Sequence, residues 1–115
     1  MAVNNIPRYL ILGNHSEDRI FWAFKISQKI AEIKDKEIDF SRRGIYDLSE
    51  SVLETQEYLK GFDKILALDQ YIERKLITYF EIEESKILCL NISENQERAP
   101  SELIGRLEEK LRDLI

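Results

Sequence analysis

Near the amino terminus the chain reads Tyr9-Leu10-Ile11-Leu12-Gly13-Asn14-His15-Ser16-Glu17-Asp18-Arg19-Ile20. A short unbroken apolar run that stops at Gly-Asn is the pattern of a strand covered on both faces and closed by a turn. Beyond Ser16 the period changes. Trp22, Ile26, Ile30 and Ile33 recur at spacings of four, four and three, with Lys25, Lys29, Glu32 and Lys34 between them. That spacing predicts an amphipathic helix of about five turns. Phe21 and Phe24 widen its apolar surface, so the helix is expected either to be well covered or to meet a partner.

The same alternation continues outward. Lys34-Asp35-Lys36-Glu37 is a solvated exit, and Glu37 to Arg43 sets Ile38 and Phe40 against polar neighbours, as in a half-buried edge strand before the Gly44 turn. Ser51, with Glu54 three residues on, forms a capping-box signature for a helix carrying Val52, Leu53, Tyr58 and Leu59, closed by Gly61. Lys64 to Leu68 reads as a second buried strand, after which Asp69 can cap a helix with Ile72, Leu76 and Phe80 on one side. Lys86 to Ile92 reads as the last strand, and a polar loop leads through Pro100 and Ser101 to a helix faced by Leu103, Leu107, Leu111 and Leu114. Four strands alternating with helices call for a parallel sheet with right-handed crossovers and helices on both faces, a three-layer αβα domain. No repeat or linker interrupts residues 1–115, so a single domain is expected, with any site in the loops at the strands' carboxyl ends.

Composition narrows the function. At 115 residues and 43% hydrophobic the chain can bury one core, and two cores would each be marginal. A net charge of -5 removes the basic footprint of a nucleic-acid or anionic-membrane binder. One cysteine and one histidine make neither a disulfide scaffold nor a zinc cage, and no metal or cofactor is expected. A reducing, cytoplasmic setting is the simplest expectation, since Met1 to Pro7 lacks the order of a signal peptide.

The loop after the first strand is the natural anion site of such a fold, because its amides and the following helix start present unpaired N–H groups. Here the chain resembles the low-molecular-weight protein tyrosine phosphatase family, in particular its short prokaryotic branch. That family carries a cysteine, five residues, an arginine and a serine at this place. On that motif Gly13 stands where the nucleophilic cysteine belongs, Arg19 falls on the phosphate-binding arginine, and Ile20 replaces the serine. Gly61-Phe62-Asp63-Lys64-Ile65-Leu66-Ala67-Leu68-Asp69 is similar to the family's stretch of small residue, aspartate and strand. Cys89-Leu90-Asn91-Ile92-Ser93-Glu94-Asn95-Gln96 is similar to the branch's Cys-Leu-Asp-Ile-Pro-Asp-Asp-Tyr, so the aspartate pair holding the general acid becomes Glu94-Asn95. A thiolate mechanism needs a low-pKa sulfur, a guanidinium fork and an acid for the leaving oxygen. The resemblance therefore implies a phosphotyrosine phosphatase I-like fold without the sulfur and without the well-placed acid.

Gly13, Asn14, His15, Ser16 and Arg19 are then the remnant of an anion-binding loop, and Glu94 and Asn95 a degenerate acid loop. Each has a plainer reading. His15 and Ser16 could supply an unconventional attack, whereas Ser16 as helix cap, with Glu17 and Asp18 at the positive helix end, accounts for the same letters. Arg19 either holds an oxyanion or pairs with Glu17, Asp18 or Glu94. Asp69 is a helix cap or a carboxylate facing the old pocket, and Cys89 is expected in the core. Arg42 and Arg43 beside Tyr46 are expected to solvate an edge strand, and Trp22 with Phe21 and Phe24 is core or an interface anchor. The expectation is a pseudophosphatase that works by binding, to an unknown protein partner or as a homodimer, with at most a weakly held oxyanion and neither nucleic acid nor membrane. The competing expectation is a phosphomonoester hydrolase using an unconventional nucleophile.

Overall fold

The computed structural model describes residues 6–14, 18–92 and 100–115, excluding the side chains of Asp18 and Pro100. The apolar run becomes β1 (Arg8–Gly13), followed by α1 (Asp18–Ile33), β2 (Asp39–Gly44), α2 (Val52–Lys60), β3 (Lys64–Ala67), α3 (Gln70–Thr78), β4 (Ile87–Cys89) and α4 (Pro100–Leu114). The four strands form one parallel sheet in the order β2-β1-β3-β4, with β1 matched to β2 from Arg8 opposite Asp39 to Gly13 opposite Gly44.

Strand pleating sorts the core into two layers. Leu10 and Leu12 of β1, with Ile65 and Ala67 of β3, pack against Leu59, Ile72 and Leu76 from α2 and α3. Ile11 and Leu66 point the other way, into Ala23, Ile26 and Ile30 of α1 and Leu103, Leu107 and Leu111 of α4. Both faces of β1 and β3 are thus dry, which is why their sequences are continuous apolar runs rather than alternating ones. The expected three-layer α/β architecture is what forms.

Local caps act as the sequence expects, with one difference. The Ser51 side chain accepts from the Glu54 N–H at 3.3 Å, and Gly61 closes α2 at a right-handed φ of -73°. Glu54 does not return to the Ser51 N–H, however: its carboxylate accepts from the Ser49 hydroxyl, whose oxygen takes the Ser51 N–H at 3.1 Å. The predicted apolar faces are corrected in two places. The buried stripe of α1 runs through Arg19, Ala23, Ile26 and Ile30, so Trp22 is only half-buried and Ile33 is 75% exposed. On α2, Thr55 and Leu59 face the core while Val52 and Leu53 face out. The last strand is shorter than its apolar run because Asn91 adopts a left-handed φ of 55°, which breaks the ladder; Asn tolerates that region better than most residues. The amides of Leu90 and Ile92 nevertheless reach the carbonyls of Ala67 and Leu68 at 2.8 and 2.7 Å.

Candidate functional site

At the carboxyl end of the sheet three chain segments leave together. The Leu68 N–H donates to the Leu12 carbonyl at 3.0 Å, the Tyr46 N–H donates to the Asn14 carbonyl at 3.1 Å, and Ile92 is tied to Leu68 as above. Gly13 and Asn14 therefore sit at the hub of the sheet's upper edge, where an open α/β fold places its site.

Arg19 occupies the first turn of α1, where it is 5% exposed and belongs to the buried stripe of the helix. Its guanidinium is turned beneath the strand ends. Nη1 donates to the Ile92 carbonyl at 2.5 Å and lies 3.6 Å from Oδ2 of Asp69. The other carboxylate oxygen of Asp69 accepts from the Ile72 N–H at 3.0 Å, with Asp69 in the extended conformation of an N-cap. The helix-cap reading of Asp69 is what forms, and the same carboxylate also balances a buried cation. Arg19 is ion-paired with Asp69, fifty positions away, a partner the sequence did not suggest; the side chains of the expected partners Glu17, Asp18 and Glu94 lie outside the described residues.

Gly13 is enclosed. A Cβ placed on it would stand 2.8 Å from both Cγ1 and Cδ1 of Ile20 and 2.8 Å from Cδ1 of Leu68, well inside van der Waals contact. Ile20 and Leu68 are 1% and 0% exposed, so neither end can swing into water to make room. Ile20, which the resemblance sets at the family's serine, fills the volume above the turn with hydrocarbon.

The other expected site residues divide. Asn14 is half-buried beside Gly13, whereas His15, Ser16, Glu94 and Asn95 lie outside the described residues, as does Glu17. Cys89 is corrected from core to half-buried, at the end of β4, its thiol donating to Oδ1 of Asn91 at 3.4 Å. Burial pushes that thiol's pKa up, contrary to what a reactive thiolate needs. Arg42 and Arg43 are exposed on the edge strand as expected, and each covers aromatic rings. The Arg42 guanidinium lies 5.3 and 5.2 Å from the rings of Phe21 and Phe24, and that of Arg43 lies 5.5 Å from Tyr58, on the opposite face of the sheet. Among the described residues no cluster of His, Cys, Asp or Glu could hold a metal ion, and no helix is long and apolar enough to cross a membrane.

One group went unnoticed in the sequence. Tyr71 and Lys75 on the outer face of α3 and Tyr79 just past its end recur every four residues, and the turn after β2 brings Tyr46 to them. The hydroxyls of Tyr46 and Tyr71 are 2.7 Å apart, and the Lys75 ammonium lies 5.1, 5.7 and 5.5 Å from the rings of Tyr46, Tyr71 and Tyr79. The hydrogen bond between the phenols splits their acidity, raising the pKa of Tyr46 and lowering that of Tyr71, with Lys75 favouring the Tyr71 phenolate. The four-residue spacing was legible, but Tyr46's arrival was not.

No protein-family description matches the chain, and no curated protein sequence does either. Solved structures do. A low molecular weight protein tyrosine phosphatase from Bacillus subtilis superposes with a TM-score of 0.69 at 14% identity, covering 93% of each chain. One from T. tengcongensis superposes with a TM-score of 0.67 at 18% identity, covering 94% of each. The lactose-specific IIB component domain of the phosphoenolpyruvate:carbohydrate phosphotransferase system from Streptococcus pneumoniae follows, with a TM-score of 0.56 at 12% identity, covering 96% of this chain and 95% of that one. With a four-stranded parallel sheet, two helical layers and near-complete superposition, the chain has the α/β fold of the low-molecular-weight protein tyrosine phosphatases.

Proposed function

We propose that this chain is a pseudophosphatase: a low-molecular-weight phosphatase fold that has lost phosphoryl transfer and serves as a binding or regulatory module, in a reducing, cytoplasmic setting suited to its single cysteine. The observation that carries this reading is the closed turn at Gly13, where Ile20 and Leu68 leave no room even for a Cβ. A nucleophile needs a side chain there, and its sulfur needs space beneath the phosphoryl group.

Arg19 supports the same reading from the other side. Its charge is already answered by Asp69 and the Ile92 carbonyl. A phosphate dianion approaching that guanidinium would meet the Asp69 carboxylate, and at ~4 Å each pair of like charges costs on the order of 4 kcal/mol in a half-wet site. Binding an anion would mean breaking a buried pair as well as accepting that repulsion. Anion binding at the old loop is thus at most weak.

The test is incubation with a chromogenic aryl phosphate from about pH 5 to about pH 8, the range over which carboxylate and imidazole catalysts change protonation. Turnover should not exceed that of buffer. Hydrolysis abolished by Arg19→Ala would establish the competing reading, an active phosphomonoester hydrolase with another nucleophile. A titration with phosphate or vanadate should likewise leave the amide resonances of Gly13 and Asn14 in place.

A further inference from the structure

The chain's exposed apolar surface is unevenly distributed. Among the described residues seven large hydrophobic side chains stand exposed, and five of them, Tyr46, Val52, Leu53, Tyr71 and Tyr79, belong to the segment after β2, the first turn of α2, and the outer face and C-cap of α3. The three tyrosines each leave more than half of their surface to water. Clustered exposed aromatics mark interaction surfaces, because covering them removes a large apolar area from water. Here they are also held in place: Lys75 lies among the three rings and the Tyr46 and Tyr71 hydroxyls are joined. A surface ordered before binding loses less entropy when it binds.

Between this cluster and the segment after β2 runs a groove of about 220 Å³ floored by Ile45, Leu48 and Phe80 and walled by Val52 and Tyr79. Glu50 and Lys75 both line it. Among the described residues neither takes part in an ion pair, so a carboxylate and a ring-held ammonium, neither with an opposite charge beside it, face the same groove. A surface that carries its own complement suits a two-fold contact, in which every residue meets its counterpart's neighbour.

We infer that the occupant of this face is a second copy of the chain, docked about a two-fold axis so that Lys75 of each protomer meets Glu50 of the other while the tyrosines and the groove floor are covered. Each dimer then contains the ion pair twice, at the rim of an aromatic centre. The contact depends on no assumption about catalysis, so a mass measurement can fail while the turnover test succeeds.

The experiment is sedimentation velocity, with light scattering on a sizing column, from about 1 µM to about 500 µM, spanning the affinities of ordinary homodimers. The wild type should sediment as a dimer at the upper concentrations. Glu50→Lys and Lys75→Glu should each weaken it at least tenfold, because each places like charges together at two positions. Mixing the two variants in equal amounts should restore a dimer of one of each, and the double reversal in one chain should restore a homodimer. Such rescue is a gain that a misfolded variant could not give. A wild type that stays monomeric throughout overturns the inference. So does a dimer indifferent to both reversals, or one that mixing fails to restore.

Discussion

Replacing Gly13 with alanine puts a sign, not merely a size, on the claim that the turn is closed. Gly13 has no positive φ, so alanine is compatible with its backbone. Where space allows, such a change stabilises by about 0.4–1 kcal/mol, since it removes freedom from the unfolded chain. Space does not allow it here. The new methyl would stand 2.8 Å from Ile20 Cγ1, Ile20 Cδ1 and Leu68 Cδ1, about 1 Å short of the ordinary ~3.5–4.0 Å separation. Both neighbours are buried, so they must shift against a packed core, which typically costs ~1–3 kcal/mol. The two effects together leave Gly13→Ala less stable than wild type by roughly 1 kcal/mol, within a span of about 0–2.6 kcal/mol. Urea unfolding followed by Trp22 fluorescence would show this as a lower midpoint with an unchanged slope. Trimming Ile20 to valine removes its Cδ1, so Gly13→Ala should cost less in an Ile20→Val background than alone. If Gly13→Ala proves as stable as wild type or more so, the turn has room for a side chain and the steric case against a nucleophile falls.

Three further outcomes follow from the geometry. Asp69→Ala removes a helix cap, worth about 1 kcal/mol, and also takes a carboxylate away from a buried guanidinium, so the total loss should exceed that of the cap alone. Asp69→Ser should therefore recover the cap alone, and in chemical denaturation the double change Arg19→Met/Asp69→Ser should be clearly less harmful than the sum of its parts. Cys89 should react slowly with iodoacetamide in the native protein and much faster once unfolded, since burial raises its pKa and keeps the thiol protonated. By linkage that protonation contributes stability below the unfolded thiol's pKa which is lost as pH rises through the folded value, so native stability should fall in strongly alkaline buffer. In ultraviolet titration the Tyr46 and Tyr71 phenols should ionise in two separated steps, and Tyr71→Phe should bring Tyr46 back down toward the ordinary phenol range; an unaltered curve would deny the hydrogen bond between them.

Local patterning was enough to specify the elements and their layering. Leu10 to Leu12 and Ile65 to Leu68 are apolar at every position, and only a sheet buried on both faces accounts for that. Ser51 and Asp69 announced helix starts by chemistry confined to a few neighbouring residues, and the glycine at position 13 was readable as an absent side chain. What it could not give was anything set by distance in space. The partnership of Arg19 with Asp69 joins residues that meet only once β1 and β3 lie side by side, and a charged residue inside an apolar stripe looks like solvated surface until that partner arrives. The α1 stripe was misplaced for the same reason: counting Trp22 and Ile33 as core passed over the helix face on which Arg19 lies. Likewise Tyr46 joins Tyr71 and Lys75 through a crossover that no local pattern encodes, and the volume over Gly13 is closed by Leu68 from a different strand's end. Periodicity reports which side of an element avoids water; tertiary packing alone decides which side chains share the space that remains.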